Sequence, residues 1–275
     1  ETYSPVVRWT TICLMLILSL VFGWSTRQID FVMAYPQANI STGNVYIDIP
    51  KGFQFEGSSR SHCLHVVKNI YGGKDAGRTW NQHLVKGMKE LGFQQSDVDE
   101  CVFYRDTTVF FVYVDDGVFL DADPANIDRA MLDLQSKFRV QDEGSLSDYL
   151  GVNVKQHKDG AFEFKQPQLI DSILEDLRLL TPGDNKAKPA ETPAKLDHRM
   201  NKDPGGRAFD YTWAYRSVIG KMNFLEKSTR GDLAYSVHQC ARFMSCPMRV
   251  HGEAVKRIGR YLLGSRNKGY FIRPN

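Results

Sequence analysis

One stretch near the middle of the chain, residues 110–120, places two adjacent aspartates inside an otherwise apolar run of β-branched and aromatic residues. Such runs favour β-strands, and an Asp-Gly pair between them is a typical hairpin turn. We therefore predict a β-hairpin that turns near Asp116 and Gly117. The turn accounts for these two residues, but it leaves Asp115 at the end of a strand apolar enough to be buried.

Two carboxylates beside an apolar sheet are costly unless a cation compensates their charge. Oxygen ligands of this kind are typical of Mg²⁺ sites. The residues alone leave two interpretations open, a metal site at the hairpin or a plain turn. A third carboxylate, Asp30, lies in another β-prone run, where it could also belong to an edge strand or cap a turn.

Charge is unevenly distributed along the 275 residues, although the formal net charge is only +3. Residues 186–275 contain 18 Lys and Arg against 7 Asp and Glu, so the preceding residues are net acidic. An acidic part that gathers metal and a basic part that holds a polyanion would give this division. The alternative is a basic surface that only faces solvent.

The basic residues that we expect to grip nucleic acid lie on neighbouring turns of one predicted helix: Lys256, Arg257 and Arg260. Glu253 and Arg257 have the i,i+4 spacing of a helical ion pair. We therefore predict this pair on the surface of the helix.

The five cysteines are odd in number and scattered, which argues against a disulfide framework and indicates a reducing compartment. The apolar run at residues 12–22 is shorter than the about 20 residues needed to cross a bilayer, so we predict a mostly buried helix there. A zinc site is disfavoured because the spacing of the candidate ligands fits no standard finger: His238, Cys240, Cys246 and His251.

Strands and helices are interspersed before a segment rich in proline and lysine at residues 181–208, which we predict to be a linker, and helices follow it. This order indicates an α+β fold followed by a mostly helical region. The predicted elements are a helix at residues 8–24, a strand at 25–35, a helix that ends near 91, the central hairpin, a helix at 124–138, a hairpin around Asp159 and Gly160, and helices at 168–180 and 211–264.

A glycine-rich segment, residues 71–80, leads into the helix that ends near residue 91. The free N–H groups at a helix N-terminus can hold a phosphate group. The segment matches neither the P-loop nor the dinucleotide-binding pattern, and glycines at a helix start more often form only a turn. Both interpretations stay open at this point.

Taken in order, these segments resemble the reverse transcriptase of copia-type LTR retrotransposons. The resemblance extends over nearly all of the chain, and an ordered set of motifs is far more specific than any one of them. The motifs are Gln28-Ile29-Asp30 with Ala34-Tyr35, residues 45–53, residues 68–80, Tyr113-Val114-Asp115-Asp116, Tyr149-Leu150-Gly151-Val152, residues 215–220, residues 229–235 and residues 260–264.

The resemblance implies a polymerase palm with partial fingers, in which an antiparallel sheet packs on helices, at residues 1–180. A linker at 181–208 and a helical thumb or connection region at 209–275 would follow. Asp30, Asp115 and Asp116 are implied as catalytic residues that bind two Mg²⁺ ions, with Mn²⁺ as a possible substitute.

The resemblance further implies nucleotide binding by Tyr35, Lys74, Asp75 and Gly77, and a primer grip at Leu150 and Gly151. Tyr35 would exclude a 2′-hydroxyl and so select deoxynucleotides. Asp30 and Tyr35 are an odd number of residues apart, so a regular strand would direct them to opposite faces. We therefore expect the chain to leave the strand just after Asp30.

The implied partners are a primed RNA or DNA template, dNTPs and the rest of a Pol polyprotein, with integrase upstream and RNase H downstream. The expected location is a cytoplasmic virus-like particle, and no membrane is implied. The chain would be a fragment that begins inside the fingers.

A decayed or domesticated copy that binds nucleic acid without polymerising is the alternative. Retention of Asp30, Asp115 and Asp116 favours the polymerase. The alternative is favoured by the absent part of the fingers and by Asp75, which stands where the family usually has Gln, close to the expected triphosphate.

Overall fold

An antiparallel sheet carries the acidic hairpin. The computed structural model describes residues 2–40, 43–53, 62–180, 187–195, 199–202 and 205–273, and its internal contacts divide the chain into two units, Glu1–Leu146 and Ser147–Asn275. The first unit contains α1 (Trp9–Phe22), β1 (Ser25–Phe31), α2 (Ala34–Gln37), β2 (Val45–Ile47), β3 (Leu64–Val66), α3 (Ala76–Glu90), β4 (Gln94–Gln95), β5 (Val102–Arg105), β6 (Thr108–Tyr113), β7 (Asp116–Asp121), α4 (Pro124–Lys137) and β8 (Val140–Gly144).

Six of these strands form one sheet in the order β4-β5-β6-β7-β1-β8, and β2 pairs with β3 in a separate ribbon. The hairpin of β6 and β7 therefore lies at the centre of the sheet, and β1 is its neighbour although it is distant in sequence. β1 runs antiparallel to both β7 and β8. A strand flanked on both sides has its residues held in a fixed register.

Aromatic side chains fill the space between this sheet and α3. The ring of Phe31 contacts those of Trp80, Phe138 and Phe110 edge-on, at centroid distances of 5.2, 5.5 and 6.4 Å. All four side chains are buried. Edge-to-face pairs add about 0.5–1.5 kcal/mol each beyond the burial of their area, so this cluster is a main source of stability for the unit.

The hairpin turns at Val114 and Asp115, because Tyr113 pairs with Asp116 and Val112 pairs with Gly117. The predicted turn at Asp116 and Gly117 is therefore wrong by two residues. Gly117 lies inside β7, where a Cβ atom would come within 2.6 Å of the Phe110 ring and 3.0 Å of Ile29 Cγ1. Glycine is needed here for close packing and not for a turn.

Helix α1 confirms the predicted element but not its predicted burial. It ends at Gly23, which has the left-handed conformation with φ 65°. Only Ile12, Leu16 and Ser19 are buried, whereas Val21 is 62% exposed. The run is apolar on all sides, so packing on one side leaves the opposite side exposed. Within the described residues, no helix is both long and apolar enough to cross a membrane.

Strand β1 ends at Phe31, four residues before the predicted end at residue 35. The chain then turns at Met33, which has a φ of 54°, and enters the short helix α2 at Ala34. The expectation that the chain leaves the strand just after Asp30 is thereby confirmed.

In the described residues, the second unit contains a small sheet and four α-helices around one apolar core. Its sheet has the order β12-β11-β10-β9, and its helices meet in a buried cluster that includes Leu174, Ile219, Val237 and Ile258. Its elements are β9 (Asp148–Tyr149), β10 (Val152–Gln156), β11 (Phe162–Lys165), α5 (Pro167–Asp176), α6 (Tyr215–Ser228), α7 (Ala234–Ala241), α8 (Arg249–Gly264) and β12 (Tyr270–Ile272).

The division of the chain into compact units falls at Leu146 and not at the predicted linker, residues 181–208. The reason is that α5 buries Ile170, Ile173 and Leu174 in the same core as α6 and α8. The described parts of the predicted linker also pack on this unit: Met200 is buried in the core, and the Ala190 amide donates to the Arg260 carbonyl at 3.1 Å. Antiparallel sheets combined with helices confirm the predicted α+β class.

We expect Gly117→Ala to destabilise the first unit by about 1–3 kcal/mol, because the added methyl group must displace the Phe110 ring. Urea unfolding followed by tryptophan fluorescence measures the change. Gly77→Ala is the matched control, since a Cβ atom there meets only ordinary contacts at 3.4 Å or more inside α3. It should leave stability unchanged or raise it by up to about 1 kcal/mol. Equal stability of the two variants would contradict the packing role of Gly117.

Candidate active site

The register of the central strands brings two of the three predicted catalytic aspartates together. Asp30 on β1 is the direct partner of Asp116 on β7. Directly opposed residues of an antiparallel pair project to the same face of the sheet, with Cβ atoms about 4.5–5.5 Å apart. Asp115 lies in the adjoining turn, and its carbonyl accepts the Phe31 amide at 2.8 Å. The fold therefore gathers residues that are 85 positions apart in sequence.

The turn itself is conformationally strained. Val114 has a φ of 60°, and a β-branched residue in the left-handed region is an outlier that costs on the order of 1–3 kcal/mol. The buried Trp80 compensates part of this strain, because its Nε1–H donates to the Val114 carbonyl at 2.7 Å. Trp80 belongs to α3, so the helix that follows the glycine-rich segment holds the turn that carries Asp115.

Burial and charge repulsion perturb the pKa values of the carboxyl groups at this site. Burial and the neighbouring charges of Asp115, Asp30 and Glu143 raise the pKa of Asp116 to about 6. Burial and the charges of Asp115 and Glu143 also raise the pKa of Asp30. Glu143 on β8 accepts a hydrogen bond from Gln28 Nε2 at 2.7 Å, so its carboxylate is held beside the aspartates. Four acidic side chains thus share one end of β1.

These side chains have the donor chemistry of a site for a hard cation, because all their ligand atoms are oxygens. Their present arrangement is not a finished ligand shell: in the described part of the chain, no three His, Cys, Asp or Glu side chains are grouped so as to hold a metal ion. Like charges repel one another, and a metal site at this position would require the carboxylates to rotate toward a shared cation.

Tyr35 is the residue predicted to select deoxynucleotides. Its ring contacts that of Tyr71, and Tyr71 lies between Tyr35 and the acidic group. The ring centroids of Tyr35 and Tyr71 are 4.7 Å apart. Burial and the charges of Asp115, Tyr35 and Asp30 raise the pKa of Tyr71, which places its hydroxyl near the carboxylates. Gly77 faces the same space, because a Cβ atom there would be 3.6 Å from the Tyr35 hydroxyl.

The other two predicted nucleotide ligands lie where the chain enters α3. Lys74 is exposed in the turn before the helix. Asp75 is the N-cap residue of α3, and its carbonyl accepts from the amide and the hydroxyl of Thr79 at 2.9 and 3.0 Å. A carboxylate at a helix N-terminus is stabilised by the helix dipole. Asp75 therefore has a favourable structural position, and its role toward a nucleotide stays a prediction.

The predicted primer grip is a tight turn in the second unit. Leu150 and Gly151 connect β9 to β10, where Tyr149 pairs with Val152. Both turn residues have positive φ, 52° and 73°, which is the pattern of a type I′ hairpin turn. The structure thus shows a tight two-residue turn, and its contact with a primer stays a prediction.

The predicted nucleic-acid residues Lys256, Arg257 and Arg260 all lie on α8. The predicted ion pair between Glu253 and Arg257 is wrong, since Glu253 pairs with Arg249 at 3.1 Å. Arg257 instead donates from Nη2 to Thr192 Oγ1 at 2.9 Å. The reason is that residues 187–195 pack beside α8 and offer Arg257 a partner that helical spacing alone does not reveal.

Three residues of the site received no role in the sequence analysis: Glu143, Tyr71 and Trp80. Glu143 is brought to Asp30 by the pairing of β8 with β1, a long-range contact that no local pattern indicates. Tyr71 and Trp80 belong to the glycine-rich motif, and this membership was a signal in the sequence that they could take part in the site. Their contacts with Tyr35 and Val114 depend on the tertiary fold.

We expect Asp116→Asn to stabilise the protein at pH 7 in metal-free buffer, by about 1–2 kcal/mol after allowance for solvent screening. The folded-state pKa of Asp116, about 6, is above the ordinary value of an aspartate, 3.8, so the wild type loses stability as the pH rises through this window. The difference between variant and wild type should therefore disappear below about pH 4. Denaturant unfolding at several pH values measures it.

Asp121→Asn on the same strand is the control with the opposite sign. Burial alone would raise the pKa of Asp121, but hydrogen bonds from the Asp123 amide, Thr108, Thr107 and Asn126 lower it overall. Its charged form stabilises the fold at neutral pH and this contribution is lost as the pH falls. Asp121→Asn should thus destabilise the protein at pH 7. Loss of stability in both variants would contradict the repulsion at Asp116.

Comparison with known proteins identifies a family and several relatives of the chain. The family model described as reverse transcriptase (RNA-dependent DNA polymerase) matches residues 1–192. The retrovirus-related Pol polyproteins from transposons RE1 and RE2 of Arabidopsis thaliana are 31% and 30% identical to the chain, and each alignment covers 99% of the chain and 18% of the polyprotein. The retrovirus-related Pol polyprotein from transposon TNT 1-94 of Nicotiana tabacum is 28% identical, over 96% of the chain and 20% of the polyprotein.

The chain thus spans about a fifth of the length of these polyproteins. The resemblance that its ordered motifs indicated is confirmed: the chain belongs to the reverse transcriptase family.

Proposed function

We propose that this chain is an RNA-directed DNA polymerase domain that adds deoxynucleotides to a primer 3′-hydroxyl on a template. The observation that carries the proposal is the pairing of Asp30 with Asp116, beside the turn that holds Asp115, in a chain of the reverse transcriptase family. In this proposal the first unit corresponds to the palm with part of the fingers, and the helical part of the second unit serves as a thumb or connection region.

The three aspartates would hold two Mg²⁺ ions, or Mn²⁺ in their place, through their carboxylate oxygens. Bound divalent cations supply charge neutralisation for the attacking hydroxyl and the leaving pyrophosphate. The residues of the chain position this chemistry. The sheet fixes Asp30 against Asp116, Trp80 holds the turn that carries Asp115, and the raised pKa of Asp116 reflects a cluster of charge that a cation would relieve.

Tyr35, Tyr71 and Gly77 line the side of the acidic group on which we place the incoming nucleotide. The turn after Phe31 directs Tyr35 toward this space, and its ring would lie beneath the sugar and exclude a 2′-hydroxyl. Lys74 would neutralise triphosphate oxygens from the exposed turn before α3. Asp75, as the N-cap of that helix, would contact the sugar hydroxyl and not the triphosphate, which it would repel.

The second unit would hold the primer and the template. It contains 22 Lys and Arg against 14 Asp and Glu, and such an excess supports binding of a polyanion. Leu150 and Gly151 would support the primer terminus, because a tight turn presents backbone groups in a fixed geometry. The relatives are Pol polyproteins, so we infer that the domain works within a larger polyprotein, beside an integrase and an RNase H.

We expect Asp115→Asn to lower the rate of primer extension with Mg²⁺ by at least about 100-fold, because it removes one charge that neutralises the transition state. Affinity for primer–template, measured by fluorescence anisotropy, should change little. Asp106→Asn is the matched control, since Asp106 is an exposed acid in the turn between β5 and β6. If the wild type bound primer–template but extended no primer, the chain would be a decayed copy that binds without polymerising.

We expect Tyr35→Val to raise the relative use of ribonucleotides by about 10- to 200-fold, because opening the pocket removes a steric penalty of a few kcal/mol. Steady-state incorporation of one dNTP and the matching rNTP measures the ratio. Tyr35→Phe, which keeps the ring, should retain discrimination, as should Tyr46→Val at an exposed tyrosine of β2. Equal loss of both substrates in Tyr35→Val would show that Tyr35 is only a packing residue.

A further inference from the structure

The second unit contains a cavity of about 460 Å³ with an apolar lining and a basic charge. Its walls come from α7, α8 and residues 187–195. The lining includes apolar side chains such as Leu179 and Ile258, together with five basic residues and one acid: Lys188, Lys195, Lys256, Arg257, Arg260 and Glu253. Cavities of this volume are typical of sites for small ligands or single chemical groups.

Two hydrogen bonds attach the wall formed by residues 187–195 to α8. The Ala190 amide donates to the Arg260 carbonyl at 3.1 Å, and Arg257 Nη2 donates to Thr192 Oγ1 at 2.9 Å. These two contacts join two separate segments of the cavity wall, and the second one orients the Arg257 side chain before any ligand arrives.

Each of the two arginines has a buried Nε atom that a ligand in the cavity would not reach, so an anion would have to contact their terminal Nη groups and the lysines. The Nε atoms of Arg257 and Arg260 are both buried, and neither has a hydrogen-bond partner among the described residues. A buried donor without an acceptor costs about 1–3 kcal/mol. Two guanidinium groups beside three lysines favour an anion with several oxygens, and phosphate fits the fork geometry of arginine.

The remainder of the lining favours a ligand that carries an apolar, aromatic group in addition to its negative charge. Tyr235 on α7 lines the same cavity and is 58% exposed, so its ring is available for stacking. A planar base can stack on an exposed aromatic ring while its phosphate contacts basic side chains. Phosphate attached to a flat, mostly apolar group describes a nucleotide.

We propose that this cavity receives one unpaired nucleotide of a single-stranded nucleic acid, with the base against Tyr235 and the phosphate on Arg257 and Arg260. The proposal rests on the proposed function, in which the second unit holds nucleic acid. A paired base is already stacked and enclosed in a duplex, and so cannot enter the cavity. The site would give the polymerase a hold on a template overhang or a strand end.

Binding of labelled oligothymidylate of about 12 nucleotides to the whole chain, measured by anisotropy at several salt concentrations, tests the proposal. Tyr235→Leu should weaken binding by about 5- to 100-fold without changing the salt dependence, because it removes stacking and no charge. Arg257→Gln with Arg260→Gln should weaken binding at least about 10-fold and reduce the slope of log K against log salt by about 0.7, the value for the one phosphate contact that is lost.

Three controls distinguish binding in the cavity from nonspecific electrostatic binding to the protein surface. Tyr235→Phe keeps the ring and should bind like the wild type. Arg249→Gln removes an exposed charge on the same helix, outside the cavity lining, and should change affinity less than about 3-fold. A blunt duplex of equal length should be insensitive to Tyr235→Leu. Circular dichroism and thermal unfolding confirm that each variant is folded.

The proposal is overturned if Tyr235→Leu leaves oligothymidylate affinity unchanged or weakens the duplex equally. It is also overturned if dTMP alone binds the chain as tightly as the oligonucleotide, since the ligand would then be a free nucleotide and not a strand. Asp106→Asn, at an exposed acid in the turn between β5 and β6, should bind oligothymidylate like the wild type. A chain that showed these binding effects but extended no primer would contradict only the polymerase proposal, and a chain that extended primers without them would contradict only the cavity proposal.

Discussion

The pairing of Asp30 with Asp116 across β1 and β7 is the constraint on which the site depends. Like charges directly opposed in a sheet destabilise it. Burial and the charges of neighbouring acids raise the pKa of both groups, and the charge of Asp30 contributes to the shift at Asp116. The pairing persists because β1 is held between β7 and β8 and because Phe31, the next residue, is buried in the aromatic cluster with Trp80. The free energy gained by packing on the apolar side of the sheet thus offsets the repulsion between carboxylates on its other side.

Trp80 links the two parts of the site that are distant in sequence. Its ring belongs to the core under the sheet, and its Nε1–H holds the strained turn at Val114. The glycine-rich segment begins the same helix and carries Tyr71 toward Tyr35. Any shift of α3 would therefore move the turn with Asp115 and the tyrosine pair together, so one helix sets the distance between the proposed metal site and the proposed nucleotide site.

Local features of the fold could be predicted from the sequence, and long-range features could not. The start of α4 at Pro124 and the end of α1 at Gly23 follow from residue preferences that act within a few positions. The turn at Val114 was misplaced because an Asp-Gly pair usually forms the turn, whereas the packing of Gly117 against Phe110 overrides that preference. Glu143 and the partner of Arg257 were missed because their contacts join segments with no shared pattern. The three aspartates were indicated by their position in β-prone apolar runs together with the order of the motifs.

Binding of Mn²⁺ to the chain without nucleotide or nucleic acid, followed by electron paramagnetic resonance, tests most directly whether the sheet gathers these carboxylates for a cation. The account predicts that the wild type binds the ion, that Asp30→Asn weakens binding at least about 10-fold, and that Asp106→Asn binds like the wild type. Equal affinity of the wild type and Asp30→Asn would contradict it, because Asp30 reaches this site only through its pairing with Asp116.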